Sequence, residues 1–430
     1  MKIFSRPLLG IALVTALLSH NTFAQALDVS SHAFAVRTLK HLSAKNTGKN
    51  IVFSPSSLSA AMVTILAGAS EKDQKIVLKS MGYGDATIKE ILEDSQRFEK
   101  SLVAEEGYRV VSKNALFTNV ALDPKYKTQI ESSLNAQNDV IDFTKPESAA
   151  LVNEWANKST DGKIKEIVKA QDISRLAFLS LNATMFEAKW ANAKFDSPRM
   201  EADFVNEAGQ KIGKVKMMVS SPRIRIAQKA YEKFKVYEIP YALDSKGESQ
   251  GSMMIILPTI KNEKEVMASR WSEKPVAPIV TPLAEALASL DAEQIAQIDK
   301  DIKSMRAAKE VYSILLNMPK FKTESDFSDE LKNMLTTMGA GSIFKQIDVS
   351  GMVVEKSKKR WSHSVVALVK QKAVIEVAEE GTTAAAVSAI GGFPESCPPP
   401  SVYLNRPFAY LIKDGATGRI VFAGTFVAPK

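Results

Sequence analysis

Residues 50–69 read NIVFSPSSLSAAMVTILAGA, and this stretch decides the fold. Ser54 followed by Pro55 is typical of a helix start, because serine caps free backbone N–H groups and proline suits the first helical position. Gly68 marks the far end of the segment. Nearly all residues between them are small or apolar on every side. The pattern therefore predicts a helix that is buried within the fold.

Outward from this helix, the order of the elements indicates the α+β class. Helical patterns dominate the first half, as in AALVNEWANKSTDGKIKEIV at residues 149–168, where a turn at Asp161 and Gly162 follows an amphipathic helix. Strand-like runs rich in β-branched and aromatic residues dominate the second half, for example RLAFLSLNATMFEAKW at 175–190. Regular βαβ alternation is missing, which favours α+β. Several runs lack polar alternation, so we expect strands buried on both faces.

The N-terminus has the pattern of a secretory signal peptide. Lys2 and Arg6 form a basic region, and the apolar run that follows, residues 8–18, is too short to span a bilayer. Small residues offer cleavage after Ala24 or after Ala26. We therefore expect a signal peptide at 1–24, with 26 as the alternative end. A single domain at 27–430 would then be secreted or periplasmic.

Charge and cysteine content restrict the partners. The formal net charge of +8 is spread over the chain, apart from KSKKR at 356–360, which we interpret as a solvated loop. We expect weak polyanion binding at most and no binding of nucleic acid. We also expect no membrane insertion, because no later apolar run is long enough for a membrane helix.

Cys397 is the single cysteine, so no internal disulfide forms. A signal peptide without paired cysteines is typical of exported bacterial proteins.

Motifs for catalysis or for metal and cofactor binding are missing from the sequence. Beyond the signal peptide the histidines are His32, His41 and His363, and they form no HExxH motif and no zinc spacing with cysteine. There is no nucleophile elbow, Walker loop or GxGxxG. We interpret His363 as a surface residue and Cys397 as a thiol without a function. The sequence predicts no catalytic residue, no metal, no cofactor and no enzyme activity.

Six motifs, taken together and in order, resemble the serpin family over the whole mature chain. They are NIVFSPSSLSAAMVTILAGA (50–69), VNEWANKSTDGKIKEIV (152–168), LSLNATMFEAKW (179–190), NMPKFKTESDFSDELKNMLTTMGAGSIF (317–344), DVSGM (348–352) and LNRPFAYLIKDGATGRIVFAGTF (404–426). The resemblance implies the serpin fold, with helices packed on a large central mixed β-sheet, two smaller sheets and an exposed reactive loop at about 379–400. It also implies a monomeric suicide-substrate inhibitor that traps a serine or cysteine protease. The alternative is a non-inhibitory serpin that binds or stores a ligand.

Two departures from the family pattern concern the shutter and the chain length. In serpins a histidine beneath the loop joins a polar cluster called the shutter, and here that position is Gln371, beside the expected partners Ser54 and Ser57. An amide can still donate and accept hydrogen bonds. Extra residues lie near 259–300 and 353–362, and we expect both segments to be surface insertions.

The stretch EEGTTAAAVSAIGGFPESCPPP at 379–400 matches the serpin reactive loop. The resemblance assigns the hinge, where the cleaved loop begins to enter the central sheet, to Glu380, Gly381, Thr382, Thr383, Ala384, Ala385 and Ala386. In serpins the inserted strand alternates between inward- and outward-facing residues. By the same alternation, the inward-facing residues here would be Thr382, Ala384, Ala386, Ser388 and Ile390. None of these is charged, and no proline interrupts 381–393, so insertion buries no charge and keeps the strand's donors. We expect Gly381 to permit a sharp change of backbone angles. A flexible linker, the alternative interpretation, would show no such preference.

The reactive bond follows from two family spacings that disagree by one residue. The fourteenth residue after Gly381 is Glu395, whereas the spacing back from Asn405 gives Ser396. An inserted proline in 398–400 explains the difference and favours Glu395 as the specificity residue, with Ser396 after the cut. Phe393 is a third candidate for the specificity residue, beside Glu395 and Ser396. The three choices imply proteases with different pockets, so the sequence leaves the target open.

Overall fold

The computed structural model describes residues 9–102, 106–191, 194–196, 201–221, 224–269, 272–365, 371–382 and 400–429. The side chains of residues 9–26, 328 and 329 lie outside the described part. Most of the expected reactive loop lies outside it as well. So do the side chains of the expected signal peptide. None of the described helices is both long enough and apolar enough to cross a membrane.

The described residues contain both helices and strands throughout. The helices are α1 Leu9–Lys45, α2 Pro55–Leu66, α3 Glu71–Met81, α4 Ile88–Ser101, α5 Pro124–Leu134, α6 Glu147–Ser159, α7 Ala170–Ile173, α8 Glu263–Ala268, α9 Leu283–Ala288, α10 Ala292–Ala307, α11 Ser328–Leu335 and α12 Lys358–Trp361. The strands are β1 Ile51–Phe53, β2 Tyr108–Thr118, β3 Ala136–Val140, β4 Phe178–Lys189, β5 Lys194–Asp196, β6 Glu201–Val205, β7 Lys211–Ser221, β8 Ile224–Ala230, β9 Phe234–Pro240, β10 Gly251–Pro258, β11 Tyr312–Pro319, β12 Phe321–Asp326, β13 Lys372–Ala378, β14 Gly381–Thr382, β15 Ser401–Tyr403, β16 Phe408–Asp414 and β17 Ile420–Phe426.

Helix α2 forms as its sequence predicts. The side chain of Ser54 caps it by accepting from the backbone N–H of Ser57 at 3.2 Å, and Pro55 is the first helical residue. The helix ends at Leu66, two residues before Gly68. Most of its residues are buried. It packs against β4 and β17, so it lies beneath the strands of two different sheets.

One mixed sheet carries the site described below. Its strand order is β12-β13-β14-β4-β2-β3, in which β2 and β3 are parallel and the other pairs are antiparallel. The longest pairing joins β2 to β4 and runs from Tyr108↔Ala188 to Thr118↔Phe178. We call this the six-stranded sheet.

The remaining strands belong to two groups that β11 joins. The first half of β11 pairs with β8 and so continues the order β1-β17-β16-β10-β9-β8. Its second half pairs with β7, which also carries β5 and β6. Strands β10, β16 and β17 are buried at every residue. The expected α+β class is confirmed, and the described strands form the six-stranded sheet and one eleven-stranded sheet rather than three separate sheets.

The expectation that residues 259–300 and 353–362 form surface insertions is wrong at several positions. The core includes Leu283, Leu287, Leu290, Ile295 and Ile298 of the first segment and Val353 of the second. Trp361, the last residue of α12, is 0 % exposed, and its ring packs on Phe178 at 5.6 Å between centroids. The indole fills the core beneath the six-stranded sheet because its large apolar surface is excluded from water. Lys356, Lys359 and Arg360 are exposed, as expected of a solvated basic run. His363 is exposed too, and its Nδ1 lies 2.9 Å from the Ser362 hydroxyl.

Candidate functional site at one end of the six-stranded sheet

The expected hinge begins inside the six-stranded sheet. Strand β14, only two residues long, pairs antiparallel with β13 on one side and with β4 on the other. Gly381 lies opposite Ala378 and Lys189, and Thr382 lies opposite Val377 and Ala188. The first two residues of a further central strand are therefore in place at this end of the sheet.

Strands β13 and β4 also approach each other directly. Some of their Cα atoms lie within 8 Å of one another. A strand hydrogen-bonded between them would hold them about 9–10 Å apart, because neighbouring strands are about 4.8 Å apart. Along part of their length the two strands are therefore closer together than an intervening strand would allow, and β14 separates them at one end.

Gly381 is required here for a reason that differs from the expected one. The backbone angle φ of Gly381 is not positive. An unusual backbone angle, as expected from the sequence, therefore does not explain the need for glycine. A Cβ atom at this position would lie 1.9 Å from the carbonyl oxygen of Ala188. Only glycine lets the hinge backbone come this close to β4.

Thr382 lies in an aromatic pocket under the hinge. Its side chain is 1 % exposed, and its Oγ1 is 2.8 Å from the hydroxyl of Tyr241. The ring of Tyr241 stacks on that of Trp190 at 4.8 Å with an interplanar angle of 11°. Burial raises the pKa of Tyr241 far above its ordinary value, so the phenol stays neutral and keeps its proton for hydrogen bonding.

Backbone and charge contacts hold residues 378–380, where the chain enters the hinge. Trp190 donates its indole N–H to the carbonyl of Ala378 at 3.0 Å and its backbone N–H to that of Glu380 at 2.9 Å. The carboxylate of Glu379 pairs with the ammonium of Lys320 at 2.9 Å. Glu379 is 14 % exposed and Lys320 is 42 % exposed, so solvent screens the pair on one side only.

The three expected shutter residues lie together at the start of β13. Gln371 accepts from the backbone N–H of Ser54 at 3.0 Å and donates to the carbonyl of the same residue at 2.6 Å. Ser57 donates its hydroxyl to that of Ser54 at 2.7 Å. All three residues are buried. The amide of Gln371 thus uses both of its functions to join β13 to the cap of α2.

The polar cluster extends further, through residues that the sequence analysis missed. Ser57 contacts the hydroxyl of Thr184, which donates to the side-chain oxygen of Asn182. Asn182 donates in turn to Asn114 Oδ1 at 2.8 Å and to the hydroxyl of Ser112 at 3.0 Å. A signal was present: Asn182 and Thr184 alternate with apolar residues in LSLNATMF, which places both on one face of β4. We call the connected groups from Gln371 to Ser112, which include the backbone of Ser54, the shutter network.

The other expected site residues lie outside the described residues. These are the hinge residues Thr383, Ala384, Ala385 and Ala386, and the candidates for the reactive bond, Phe393, Glu395 and Ser396. Cys397 lies outside as well. In the described residues no group of three or more His, Cys, Asp or Glu side chains could hold a metal ion.

A comparison with protein families identifies this arrangement. The family model for "Serpin (serine protease inhibitor)" matches residues 29–429. The chain belongs to the serpin family. Serpins are for the most part protease inhibitors rather than catalysts, and the family resemblance seen in the sequence is confirmed.

Other serpins align with almost the full length of the chain. Iripin-5 from Ixodes ricinus is 27 % identical over 412 residues, which span 94 % of each chain. Iripin-3 from the same organism is 29 % identical over 426 residues, or 96 % of this chain and 98 % of the relative. Among solved structures, a thyroxine-binding globulin complex with thyroxine aligns with a TM-score of 0.74 and 20 % identity, over 94 % of this chain and 99 % of the other. The serpin fold is shared with all of them.

Proposed function

We propose that this serpin is a suicide-substrate inhibitor of a serine or cysteine protease. The protease attacks the reactive loop and forms an acyl-enzyme. The cleaved loop then enters the six-stranded sheet between β13 and β4, and the protease is held covalently with a distorted active site. The observation that carries the proposal is β14, where the hinge already pairs with both flanking strands. Thr382 already occupies an inward position there and is buried.

The hinge sequence supports loop insertion rather than mere binding. Each inward position of the entering strand must fit between existing side chains, because a misfit in a packed interior costs roughly 1–3 kcal/mol. None of the residues expected to face inward carries a charge. They are Thr382, Ala384, Ala386, Ser388 and Ile390. A serpin that only binds or stores a ligand has no need of this pattern. Thyroxine-binding globulin shows that such carriers exist on this fold.

The remaining parts of the proposal, namely the reactive bond, the oligomeric state, the location and further ligands, are based on the sequence. We place the reactive bond between Glu395 and Ser396, and Phe393 is the alternative to Glu395 as the specificity residue. The protein acts as a monomer with no cofactor and no enzyme activity of its own. It is secreted or periplasmic after loss of residues 1–24. Its only other expected ligand is a weakly held polyanion.

The decisive experiment is a titration of the full-length mature protein against a panel of serine and cysteine proteases. We expect an SDS-stable adduct with at least one protease, and a released C-terminal fragment that begins at Ser396. A fragment beginning at Pro394 would move the specificity residue to Phe393. Quantitative cleavage by every protease with no adduct would contradict inhibition and leave the binding or storage protein.

A further inference from the structure

An irregular excursion of the chain separates β10 from α9. We call residues 259–281 the arm, of which residues 270 and 271 lie outside the described part. The two ends of the arm bind each other, because Thr281 donates its backbone N–H to the carbonyl of Thr259 at 2.9 Å and their hydroxyls are also 2.9 Å apart. Helix α8 lies between these ends, and none of its residues is buried. The arm is therefore closed at its root and presents α8 to solvent.

Side-chain hydrogen bonds give the arm a defined shape. Asn262, just before α8, donates to the carbonyl of Ala277 at 3.0 Å and accepts from the backbone N–H of Ile279 at 2.8 Å. Ser269, just after α8, accepts from the backbone N–H of Val276 at 2.8 Å. The returning chain is thus tied to both ends of the helix. A surface that is formed in advance loses less conformational entropy when a partner binds.

The arm exposes large apolar side chains. Met267 is 61 % exposed, Ile279 is 56 % exposed and Val276 is 40 % exposed. These are three of the ten large apolar side chains that are exposed among the described residues. One such residue on a surface is normal, but several on a single preformed element are typical of an interaction site. Methionine is also enriched in the cores of protein interfaces.

The root of the arm lies against the C-terminal base of the reactive loop. Arg406 is buried there and donates through Nε and Nη2 to the carbonyl of Pro258, the last residue of β10, at 3.2 and 3.0 Å. Its Nη1 lies 3.5 Å from the carbonyl of Tyr403, the last residue of β15. An ion pair of 3.0 Å between Lys235 of β9 and Glu263, the first residue of α8, keeps the helix beside the end of β10.

A protease bound to the loop would extend over this region. The carbonyl of Pro400 accepts from the backbone N–H of Leu315 at 3.0 Å, so the loop is fixed to β11 at that residue. The expected reactive bond, Glu395–Ser396, precedes Pro400 by four residues, which span at most about 15 Å. A protease domain of about 220 residues has a radius of gyration of roughly 17 Å. Tyr403 is exposed as well, and it continues the accessible surface from the arm toward the loop.

We propose that Met267, Val276 and Ile279 form a second docking surface for the protease that is held at the reactive loop. The inference rests on the proposed function and adds a determinant of specificity outside the loop. The arm has four basic and three acidic residues, so its net charge is only +1. The fitting partner is therefore a protease with an apolar patch beside its substrate cleft, and burial of apolar surface supplies the affinity.

Binding of an inactive protease tests this surface without cleavage of the loop. The probe is the protease that forms an SDS-stable adduct in the panel, with its catalytic nucleophile changed to alanine. We expect the variant Met267→Ser, Ile279→Ser of the full-length mature protein to bind this probe about ten- to a hundredfold more weakly than wild type. The loss should be nearly the same at about 50 and about 500 mM NaCl, because salt screens charges and leaves apolar contacts in place.

A matched variant separates the arm from apolar surface in general. Val140 of β3 and Leu151 of α6 are similarly exposed, and the variant Val140→Ser, Leu151→Ser should bind as wild type does. With active protease at saturation, the arm variant should still form its full yield of adduct, since loop insertion does not involve the arm. Equal dissociation constants for the arm variant and wild type, or an equal loss in the matched variant, would overturn the inference and leave inhibition intact. Failure of every protease to form an adduct would instead remove the proposed function, and this inference with it.

Discussion

The hydroxyl of Tyr241 lies 2.8 Å from Oγ1 of Thr382, and both side chains are buried. Tyr241 follows β9, whereas Thr382 ends β14 in the six-stranded sheet. This hydrogen bond therefore joins the reactive-loop hinge to the neighbouring sheet. It anchors Thr382, the last residue of β14, from below.

Tyr241→Phe should loosen the hinge. The change removes the partner of the buried Thr382 hydroxyl, which costs about 0.5–1.5 kcal/mol and favours withdrawal of β14. We expect faster hydrogen exchange in residues 379–382 and protease capture that is several-fold faster. Tyr126→Phe is the matched control, because Tyr126 is also buried and donates to the carbonyl of Thr64 at 2.6 Å, away from the hinge. Equal exchange at the hinge in the two variants would contradict the role of Tyr241.

Gly381→Ala should expel the hinge from the sheet. The new Cβ would lie 1.9 Å from the carbonyl oxygen of Ala188, so β14 cannot keep its present pairing. We expect loss of protection at residues 379–382 and slower trapping of the protease, because the cleaved loop must pass through the same position. Unchanged protection in the variant would contradict this role of Gly381, because it would show that β4 shifts to make room for the Cβ atom.

Thr382→Arg should convert the inhibitor into a substrate. An arginine at this buried position would have to lose its hydration, which costs several kcal/mol without a partner. Insertion then becomes slower than hydrolysis of the acyl-enzyme. On a denaturing gel we expect mostly cleaved protein and little adduct, whereas Thr47→Arg, at an exposed threonine, should behave as wild type. A normal yield of adduct from Thr382→Arg would contradict insertion at this position.

Gln371→Glu should make stability depend on pH at the shutter. The amide now donates to the carbonyl of Ser54, and an ionised carboxylate would place two oxygens together in a buried site. Its pKa is therefore raised in the folded state, so stability is kept at low pH and lost as pH rises through that value. We expect the variant to lose roughly 1–3 kcal/mol relative to wild type at pH 8 and much less at pH 5 by urea unfolding. Gln129→Glu, on the exposed face of α5, should show no such difference.

Local signals in the sequence were sufficient to predict several helices and strands of the fold. Ser54 and Pro55 define the start of α2 because a cap depends on residues three positions apart. Runs without polar alternation correctly indicated the buried strands β10, β16 and β17. Their order along the chain indicated α+β, and the joint set of motifs indicated the family.

Contacts between distant residues could not be predicted in the same way. The partner of Thr382 is 141 positions away, and the contact between Ser57 and Thr184 spans 127 positions. No local pattern encodes such pairs. The sequence analysis named Gly381 for its backbone angles, whereas the folded structure shows that the close approach of β4 requires a glycine there. Trp361 was assigned to the surface because the charges beside it masked its burial.

Thermal unfolding of the intact protein and of protein cut once within residues 383–399 tests the central claim most directly. If the cleaved loop becomes a central strand between β13 and β4, it gains hydrogen bonds on both sides, and the cut protein should melt at least roughly 10 °C higher. Exchange at β13 and β4 should slow in parallel. A cut protein that melts at the same temperature as the intact one, or lower, would contradict insertion.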